Sequence, residues 1–392
     1  MTREGAYLDA VTSPRVDQRV SAEMAPFMGG DPSSPSALHD WAVLPAEVVE
    51  RSRQEVAALV GAEEPDSIIF VSSATEARNL AVMGLFRAND ALGNGIVSSA
   101  IEHAAVRSAT WSLERTGAAI EEVGVDGDGR IDASAIGAAV GANTALVTVH
   151  HGHEDLGTVQ DVAAIVAAAR SARPEARVHV DAGASAGLAP IDVDDIGCDA
   201  LSIGGPPLGA PPWSGALYVR PGARLQPLLV GGTQELGKRA GPECLPAIAA
   251  IGAAARIARE EGAARRQALT ELGERLLNGV LAVRDVLLSG PAHGRLPGNI
   301  HVAARGLDGE TLAASLAARG VAVAPGSACT QDAGKESPAL VAIGRGAEWT
   351  RSSVLFSLDS SATTDEVDRA VAAFSDEVAR LRSFAPDAAR DR

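Results

Sequence analysis

The regular alternation of short apolar runs with helical patterns is the feature that most restricts the fold of this chain. Between residues 68 and 219, apolar runs such as 67–71 and 143–150 alternate with amphipathic segments such as 161–172. Parallel strands need a crossover connection, which is usually a helix, so this order favours a mostly parallel sheet covered on both faces. The pattern predicts an α/β fold.

A second alternation follows a long, alanine-rich helical pattern at 246–281. Beyond residue 298, apolar runs near 300–303 and 354–357 again alternate with helical patterns, which predicts a smaller α+β unit. At 392 residues the chain is long enough for two domains. We expect a large α/β domain at 14–252, and a small α+β domain formed by 1–13 and 253–392.

The charge and the cysteine usage exclude several classes of partner and compartment. The formal net charge is −16, so the surface repels phosphate backbones, and we expect no direct contact with nucleic acid or with an anionic membrane. No apolar run approaches a membrane span of about 18 residues, and the first residues show no signal-peptide pattern. Three cysteines, Cys198, Cys244 and Cys329, do not form a disulfide framework in a chain of this length. A reducing cytoplasm is the expected location.

Two stretches at the ends of predicted strands have a distinctive composition, the first mostly small residues and the second mostly glycine and proline. Ser72–Glu76 joins a strand to a helical pattern through small residues, and such a helix start is an anion site. Between the strands predicted at 200–203 and 216–219 lies a segment rich in glycine and proline, including Gly204 and Pro207. Proline lacks a backbone donor, so this segment is predicted to be a rigid loop, neither helix nor central strand. A purely structural connector is one interpretation of it.

Six short motifs, in order and with consistent spacing, resemble the cysteine desulfurases of the class V aminotransferase family, which are fold type I pyridoxal-phosphate (PLP) enzymes. The N-terminal stretch, from Y-L-D-A at residue 7 to R-V-D-Q-R-V at residues 15–20, most resembles the branch of the family that feeds DNA phosphorothioation. The motifs are Y-L-D-A from residue 7, S-S-A-T-E-A-R-N-L-A from 72, S-A-I-E-H from 99, V-H-V-D-A from 178, S-G-A-L-Y-V-R from 214 and G-S-A-C-T from 326. The resemblance covers nearly the whole chain and implies the fold type I architecture with its large, seven-stranded type of sheet.

The resemblance assigns roles to four residues that match the family pattern. Thr75 matches the residue that binds the cofactor phosphate, and His103 matches the histidine that stacks on the pyridine ring. Asp181 matches the carboxylate that pairs with the ring nitrogen, and Cys329 matches the nucleophile that takes sulfur from cysteine as a persulfide.

Seven family positions are replaced. Pro207 stands where the family has the lysine that forms the Schiff base with the cofactor, and proline cannot form an imine. Gly204 replaces the family's phosphate-binding serine, and Pro206 replaces the histidine before the lysine. The other replacements are Glu154 for the asparagine beside the ring, Ala184 for the glutamine that bonds the ring oxygen, Pro242 for the threonine that reaches the neighbouring chain's phosphate, and Leu355 for the arginine that holds the substrate carboxylate. The chain has only two lysines, Lys238 and Lys335, and neither stands in a context that predicts an activated amine.

These replacements lead to an expectation of no cofactor, with a vestigial PLP site at Thr75, His103 and Asp181. The favoured hypothesis is a desulfurase-like protein that has lost Schiff-base chemistry and relays sulfur through Cys329. A second hypothesis is an enzyme that acts on a small molecule without PLP, using a rebuilt pocket of Glu154, Asp181, His103 and Cys329. A third is a non-catalytic scaffold in sulfur transfer, a pseudoenzyme. Whether the chain is an enzyme is left open, although we expect it not to desulfurate free cysteine by itself.

Histidines and carboxylates cluster between residues 150 and 155, where the family pattern differs. His150, His151, His153, Glu154 and Asp155 include residue types that ligate metals. Alternate residues at the end of a strand point to opposite faces, so these side chains need not converge, and no metal is assigned. The expected partners are a sulfur-transfer protein or a small molecule, and the resemblance implies a homodimer.

Overall fold

The computed structural model describes residues 5–29, 34–326 and 337–384, and the expectations for Cys329 and Lys335 lie outside these residues. The strands are β1 (Ala6–Tyr7), β2 (Ile68–Val71), β3 (Gly95–Ser99), β4 (Ala119–Val123), β5 (Thr144–His150), β6 (Arg177–Ala182), β7 (Ala200–Gly204), β8 (Gly215–Val219), β9 (Val286–Ser289), β10 (Asn299–Ala304), β11 (Val321–Ala322), β12 (Ala324–Pro325) and β13 (Ser353–Ser357). The helices are α1 (Gln18–Met24), α2 (Val43–Val60), α3 (Ala74–Ala88), α4 (Ala104–Glu114), α5 (Ala133–Ala139), α6 (Val162–Ala172), α7 (Val193–Ile196), α8 (Leu245–Leu281), α9 (Gly309–Ala318), α10 (Pro338–Ala342), α11 (Ala347–Arg351) and α12 (Thr364–Ser383).

A seven-stranded sheet with the order β2-β8-β7-β6-β5-β3-β4 forms the centre of the large part of the molecule. The strands β4, β3, β5, β6 and β7 run parallel, whereas β8 is antiparallel to both β7 and β2. Every residue of β5 is buried, as expected for a strand covered on both faces. The prediction of an α/β fold with a large, mostly parallel sheet is confirmed.

Two smaller sheets belong to the remainder of the chain. The strands β12, β13, β10 and β9 form an antiparallel sheet in that order, and β1 pairs in parallel with β11. The start of the chain therefore joins the C-terminal part, with Ala6 opposite Val321.

The buried apolar residues form separate clusters, of which one surrounds the large sheet and another surrounds the antiparallel sheet. One cluster packs β5, β6 and β7 against α2 and the first half of α8, and a second packs β10 and β13 against α12 and the second half of α8. The long helix α8 contributes Ile248 to the first cluster and Leu276 to the second, so it connects them. The domain boundary at 252 falls inside this helix and remains a prediction.

Five elements were not predicted from the sequence, namely α1, α5, α7, β9 and α11. Their patterns are weak because they are short, and α1 owes its start to Asp17, whose carboxylate accepts a hydrogen bond from the Arg19 amide. No helix in the described parts of the chain is long and apolar enough to cross a membrane.

Candidate active site

A cleft of about 430 Å³ lies where the large sheet meets the C-terminal part of the chain. Its walls come from the start of α3, the turn that follows β7, the middle of α8, the segment 10–15 and the residues just after β13. The lining includes Thr75, His103, Glu154 and Pro207, which the sequence analysis singled out. A smaller cavity of about 80 Å³ adjoins the cleft and adds Asp181 to the same neighbourhood.

Asp181, at the carboxyl end of β6, is buried and ion-paired. Its Oδ2 accepts a hydrogen bond from Arg78 Nε at 2.7 Å, and its Oδ1 accepts one from the Gly183 amide at 2.9 Å. Both side chains of the ion pair are almost fully buried. Burial opposes ionisation and is the largest single influence, but the Arg78 guanidinium, His103, His179 and the Gly183 amide together outweigh it and hold the pKa of Asp181 below its ordinary value. Asp181 is therefore a fixed negative charge next to the cleft.

His103 caps the start of α4 and faces Glu154. Its Nδ1 accepts a hydrogen bond from the Ala105 amide at 2.9 Å, so the proton of the neutral ring lies on Nε2. That Nε2 is 3.5 Å from Glu154 Oε1. Burial lowers the pKa of His103, although the nearby carboxylate of Glu154 acts in the opposite direction. The pair brings a neutral imidazole and a carboxylate to one side of the cleft.

The start of α3 forms another part of the lining. The Ser73 side chain caps the helix by accepting a hydrogen bond from the Glu76 amide at 3.2 Å. Thr75 lies exposed in the first turn, one turn earlier than the helical pattern predicted, so its hydroxyl and the neighbouring amides are available to an anion. Glu76 is occupied elsewhere, because it pairs with Arg239 at 3.0 Å.

The turn after β7 is a 3-10 turn over Pro206–Leu208, so the prediction of a loop without helix is corrected at three residues. The prolines occupy the first two positions of the turn, where no backbone donor is needed, and the Leu208 amide donates to the Gly205 carbonyl at 3.0 Å. Pro207 is half-buried and lines the cleft.

Gly204, at the end of β7, has no room for a side chain. A Cβ atom there would lie 2.5 Å from the Gly183 carbonyl oxygen, and this contact is with backbone that cannot rotate away. Ala184, the next residue after Gly183, lines the cleft. The serine that the family has at position 204 would therefore clash in this backbone.

Two other replaced positions lie apart from the cleft in the described chain. Leu355 is fully buried in β13, opposite His301 of β10 and Ala324 of β12. Pro242 lies in the loop before α8, where its carbonyl accepts a hydrogen bond from Arg239.

The histidines of the 150–155 cluster have different hydrogen-bond partners, although the rings of His150 and His153 lie edge to face with centroids 5.3 Å apart. His150 Nδ1 lies 2.8 Å from Glu102 Oε1, and His151 Nδ1 lies 3.0 Å from Ser185 Oγ. His153 Nδ1 instead accepts hydrogen bonds from two backbone amides of its own turn. Within the described residues, no group of three or more His, Cys, Asp or Glu side chains is arranged to hold a metal ion.

The described cysteines and the described lysine lie away from the cleft. Cys198 is fully buried, and burial raises the pKa of its thiol to about 12. Cys244 is exposed at the start of α8. Lys238 is half-buried beyond the turn 234–237, and burial lowers its pKa. Among the residues that the structure describes, no lysine lines the cleft.

The arginines of the cleft were missed by the sequence analysis. Arg78 and Asp181 are 103 positions apart, so no local pattern links them. Arg266 lines the cleft from α8, and its sequence neighbours resemble any exposed helix. Arg78 stands inside the motif at 72–81, whereas nothing in the sequence pointed to Arg266.

The fold and the cleft together define an aminotransferase-type protein. The model of the family described as Aminotransferase class-V matches residues 6–370. The chain is 34% identical over 380 residues to cysteine desulfurase IscS 1 of Archaeoglobus fulgidus, covering 97% of this chain and 98% of that protein. It is 37% identical over 387 residues to cysteine desulfurase IscS of Azotobacter vinelandii, covering 97% and 94%.

Solved structures agree with these relatives. A NifS-like protein superposes with a TM-score of 0.89 at 26% identity, covering 97% of this chain and all of that one (100%). DndA from Streptomyces lividans superposes with a TM-score of 0.74 at 28% identity, covering 91% and 99%. The chain belongs to the class-V aminotransferase family, as a member of its cysteine desulfurases.

This membership overturns the prediction that the chain takes no cofactor. Cysteine desulfurases are PLP enzymes, so PLP is the expected cofactor, and the prediction of none was wrong. That prediction gave the seven replaced positions more weight than the matching residues Thr75, His103 and Asp181. A lysine supplies a covalent link, whereas the ring and the phosphate are held by other groups.

The described residues fit those other contacts. Each oxygen of Asp181 has accepted one hydrogen bond and a carboxylate oxygen accepts about two, so the carboxylate can still receive a ring N–H. His103 lies in the same lining, and the first turn of α3 offers amides to a phosphate. Pro207 offers no amine, so these contacts are non-covalent.

Proposed function

We propose that this chain is a sulfur-transfer protein of the cysteine desulfurase family that holds PLP without a covalent bond to its own lysine. In this proposal Cys329 accepts sulfur as a persulfide and passes it on. The observation that carries the proposal is Pro207, which lines the cleft at the position of the family lysine. None of the described residues that line the cleft is a lysine.

The groups that would hold PLP are the same ones that line the cleft and its adjoining cavity. Asp181 would accept a hydrogen bond from the ring nitrogen, His103 would pack beside the ring, and the start of α3 near Thr75 would bind the phosphate. PLP would supply an electron-withdrawing ring to a bound amino acid. The neutral His103 holds its proton on Nε2, 3.5 Å from the Glu154 carboxylate, and can donate a hydrogen bond on this side of the cleft.

The sulfur step needs no oxidant. The Cys329 thiolate attacks the outer sulfur of a donor persulfide, the donor's S–S bond breaks, and the donor thiolate leaves with the electron pair. The outer sulfur is then part of a new persulfide on Cys329, and the number of S–S bonds is unchanged. The donor is a partner protein that carries a persulfide. This proposal also assigns the chain to the cytoplasm, where thiols stay reduced.

The first experiment tests the cofactor. PLP is added to the protein, the excess is removed, and bound PLP is measured by absorbance with and without borohydride reduction. We expect PLP that leaves on denaturation and no reduced adduct on any lysine in the mass spectrum. A reduced adduct on Lys335 would overturn the non-covalent part and restore a conventional desulfurase.

The second experiment tests the sulfur relay by persulfide-tag mass spectrometry with an active cysteine desulfurase and cysteine as the donor. We expect label on Cys329, and its loss in Cys329→Ser. Cys244→Ser is the matched control, because Cys244 is an exposed thiol outside the cleft. Cys198 should stay unlabelled, since its raised pKa keeps it a thiol. Equal label on all three cysteines, or none on Cys329, would refute the relay.

The proposal includes a homodimer. Three large apolar side chains near the start of α2 are more than half exposed, namely Trp41 (61%), Val43 (55%) and Leu44 (58%), and a partner surface would cover them. Light scattering at micromolar concentration should give twice the chain mass. A monomer would remove this part of the proposal and leave the relay untouched.

A further inference from the structure

Four arginines line the cleft of a chain that is otherwise acidic, and three of them are neutralised. Arg78 pairs with Asp181. The other pairs are Arg15 with Glu366 at 2.7 Å and with Asp359 at 3.6 Å, and Arg265 with Asp17 at 2.8 Å and with Glu261 at 3.0 Å.

Arg266 is the exception. Among the residues that the structure describes, no carboxylate lies within ion-pair distance of its guanidinium, although the side chain is only partly exposed. The lining carries two carboxylates, Glu154 and Asp359, and these lie next to His103 and Arg15. Arg266 therefore gives the cleft one positive charge that the described residues do not balance.

Gly262, one turn earlier on α8, leaves room for this guanidinium. Gly262 is buried and also lines the cleft, and a Cβ atom on it would lie 2.9 Å from Arg266 Nη1. Helical side chains lean back toward the N-terminus, so the head of Arg266 lies over the residue four positions before it. The missing Cβ leaves the space into which the guanidinium settles.

An amino acid that enters this cleft needs a partner for its carboxylate. The family arginine that has this role is replaced by Leu355, which is fully buried between strands. A guanidinium is planar and presents parallel N–H groups that match the two oxygens of a carboxylate. Arg266 supplies such a group from α8, a different element of the fold.

We propose that Arg266 is the oxyanion-binding residue of the cleft and that its ligand is the carboxylate of a small amino acid. The inference deepens the proposed function, since it names the group that would orient an amino acid beside Asp181 and His103. A phosphate group offers similar oxygens, so the test separates the two sources.

The test measures binding by calorimetry with four probes and three variants. The probes are S-methyl-L-cysteine, which cannot give up its sulfur to a thiol, its analogue 2-(methylthio)ethylamine without the carboxylate, inorganic phosphate and PLP. The variants are Arg266→Gln, Arg266→Lys, which keeps the charge without the planar fork, and the control Arg259→Gln. Arg259 is on the same helix but pairs with Glu55 on the surface.

We expect Arg266→Gln to weaken S-methyl-L-cysteine binding about 10- to 100-fold, the effect of one charge-assisted hydrogen-bonded pair. Arg266→Lys should give a smaller loss, and Arg259→Gln none. Binding of the probe without a carboxylate, and of PLP, should stay within about 2-fold of the wild type.

Several results would overturn the proposal. A wild-type protein that binds no S-methyl-L-cysteine at millimolar concentration would do so, as would equal losses for the probes with and without the carboxylate. A selective loss of phosphate and PLP binding in Arg266→Gln would assign the residue to a phosphate site instead. These outcomes do not depend on Cys329 or on a persulfide donor, so failure of the sulfur relay is measured separately.

Discussion

Two neighbouring parts of the cleft differ in how many of the family's residues they keep. The ion-pair wall, which consists of Arg78, His103 and Asp181, keeps the family's histidine and aspartate and fixes them by buried contacts. The proline turn, residues 204–209, has lost the family's serine, histidine and lysine. The family's residues are therefore kept in the wall and replaced in the turn.

The difference shows that the two parts make different contributions. Asp181 belongs to β6 and is held by Arg78 and by the Gly183 amide, neither of which belongs to the turn. The start of the turn is also crowded, because Gly204 packs against the Gly183 carbonyl. A reversion at position 204 therefore strains the backbone, whereas single changes in the wall remove a buried charge partner.

The largest expected effect is in the ion-pair wall. Arg78→Leu leaves Asp181 buried without its cation, and this should lower the free energy of unfolding by about 3–5 kcal/mol at neutral pH. Denaturant titration measures the change. In the double variant Arg78→Leu, Asp181→Asn, much of the loss should be recovered, because no charge stays buried. An unchanged unfolding midpoint for Arg78→Leu alone would mean that the pair does not stabilise this wall.

The next largest expected effect is a pH dependence of the free energy of unfolding that is caused by His179, next to the ion-pair wall. His179 lies two residues before Asp181 on β6, and its ring nitrogens contact Thr148 at 2.9 Å and Ser202 at 2.8 Å. Burial lowers the pKa of His179 to about 4. The unfolded chain therefore takes up this proton first as the pH falls.

The sign of this effect follows from the lowered pKa. The stabilisation by neutral His179 is complete above pH about 6.5 and is lost as the pH falls to about 4, which amounts to about 3 kcal/mol. His179→Gln should reduce the pH dependence of the free energy of unfolding by about one proton in this window, measured by denaturant titration at several pH values. The proline turn has no ionisable side chain, so it should not contribute. An identical pH slope in the variant would contradict the assignment.

A smaller effect is expected from a reversion in the proline turn. Gly204→Ser places a Cβ against the Gly183 carbonyl, and the strain should lower the free energy of unfolding by about 1–3 kcal/mol. Thermal and denaturant unfolding both report it. The matched control is Gly222→Ser in the loop after β8, where a Cβ meets nothing within 4 Å, although its φ of 82° adds some strain. Equal stability of Gly204→Ser and wild type would show that the turn has room for the family's serine.

The sequence predicted the large sheet because buried strands such as β5 have an unmistakable apolar run. It also predicted that Thr75, His103, Glu154 and Pro207 have related roles, and the structure places all four in one cleft. The pairing of Arg78 with Asp181 could not be predicted, since contacts between distant elements leave no local pattern. Arg266 could not be assigned to the cleft either, because the packing of α8 against other elements decides which of its faces lines the cleft.

The smallest expected effect on stability comes from restoring the lysine in the proline turn. Position 207 is the second residue of the 3-10 turn, where a new backbone N–H needs no internal partner, and the side chain is half-buried at the cleft. Pro207→Lys should therefore change the free energy of unfolding by at most about 1 kcal/mol, mainly through the lost rigidity of proline. After incubation with PLP and reduction with borohydride, mass spectrometry should find the adduct on residue 207. Pro207→Met is the control, with a similar length and no amine. Destabilisation as large as that of Gly204→Ser would show that the whole turn, and not only its first residue, has lost room for the family's side chains.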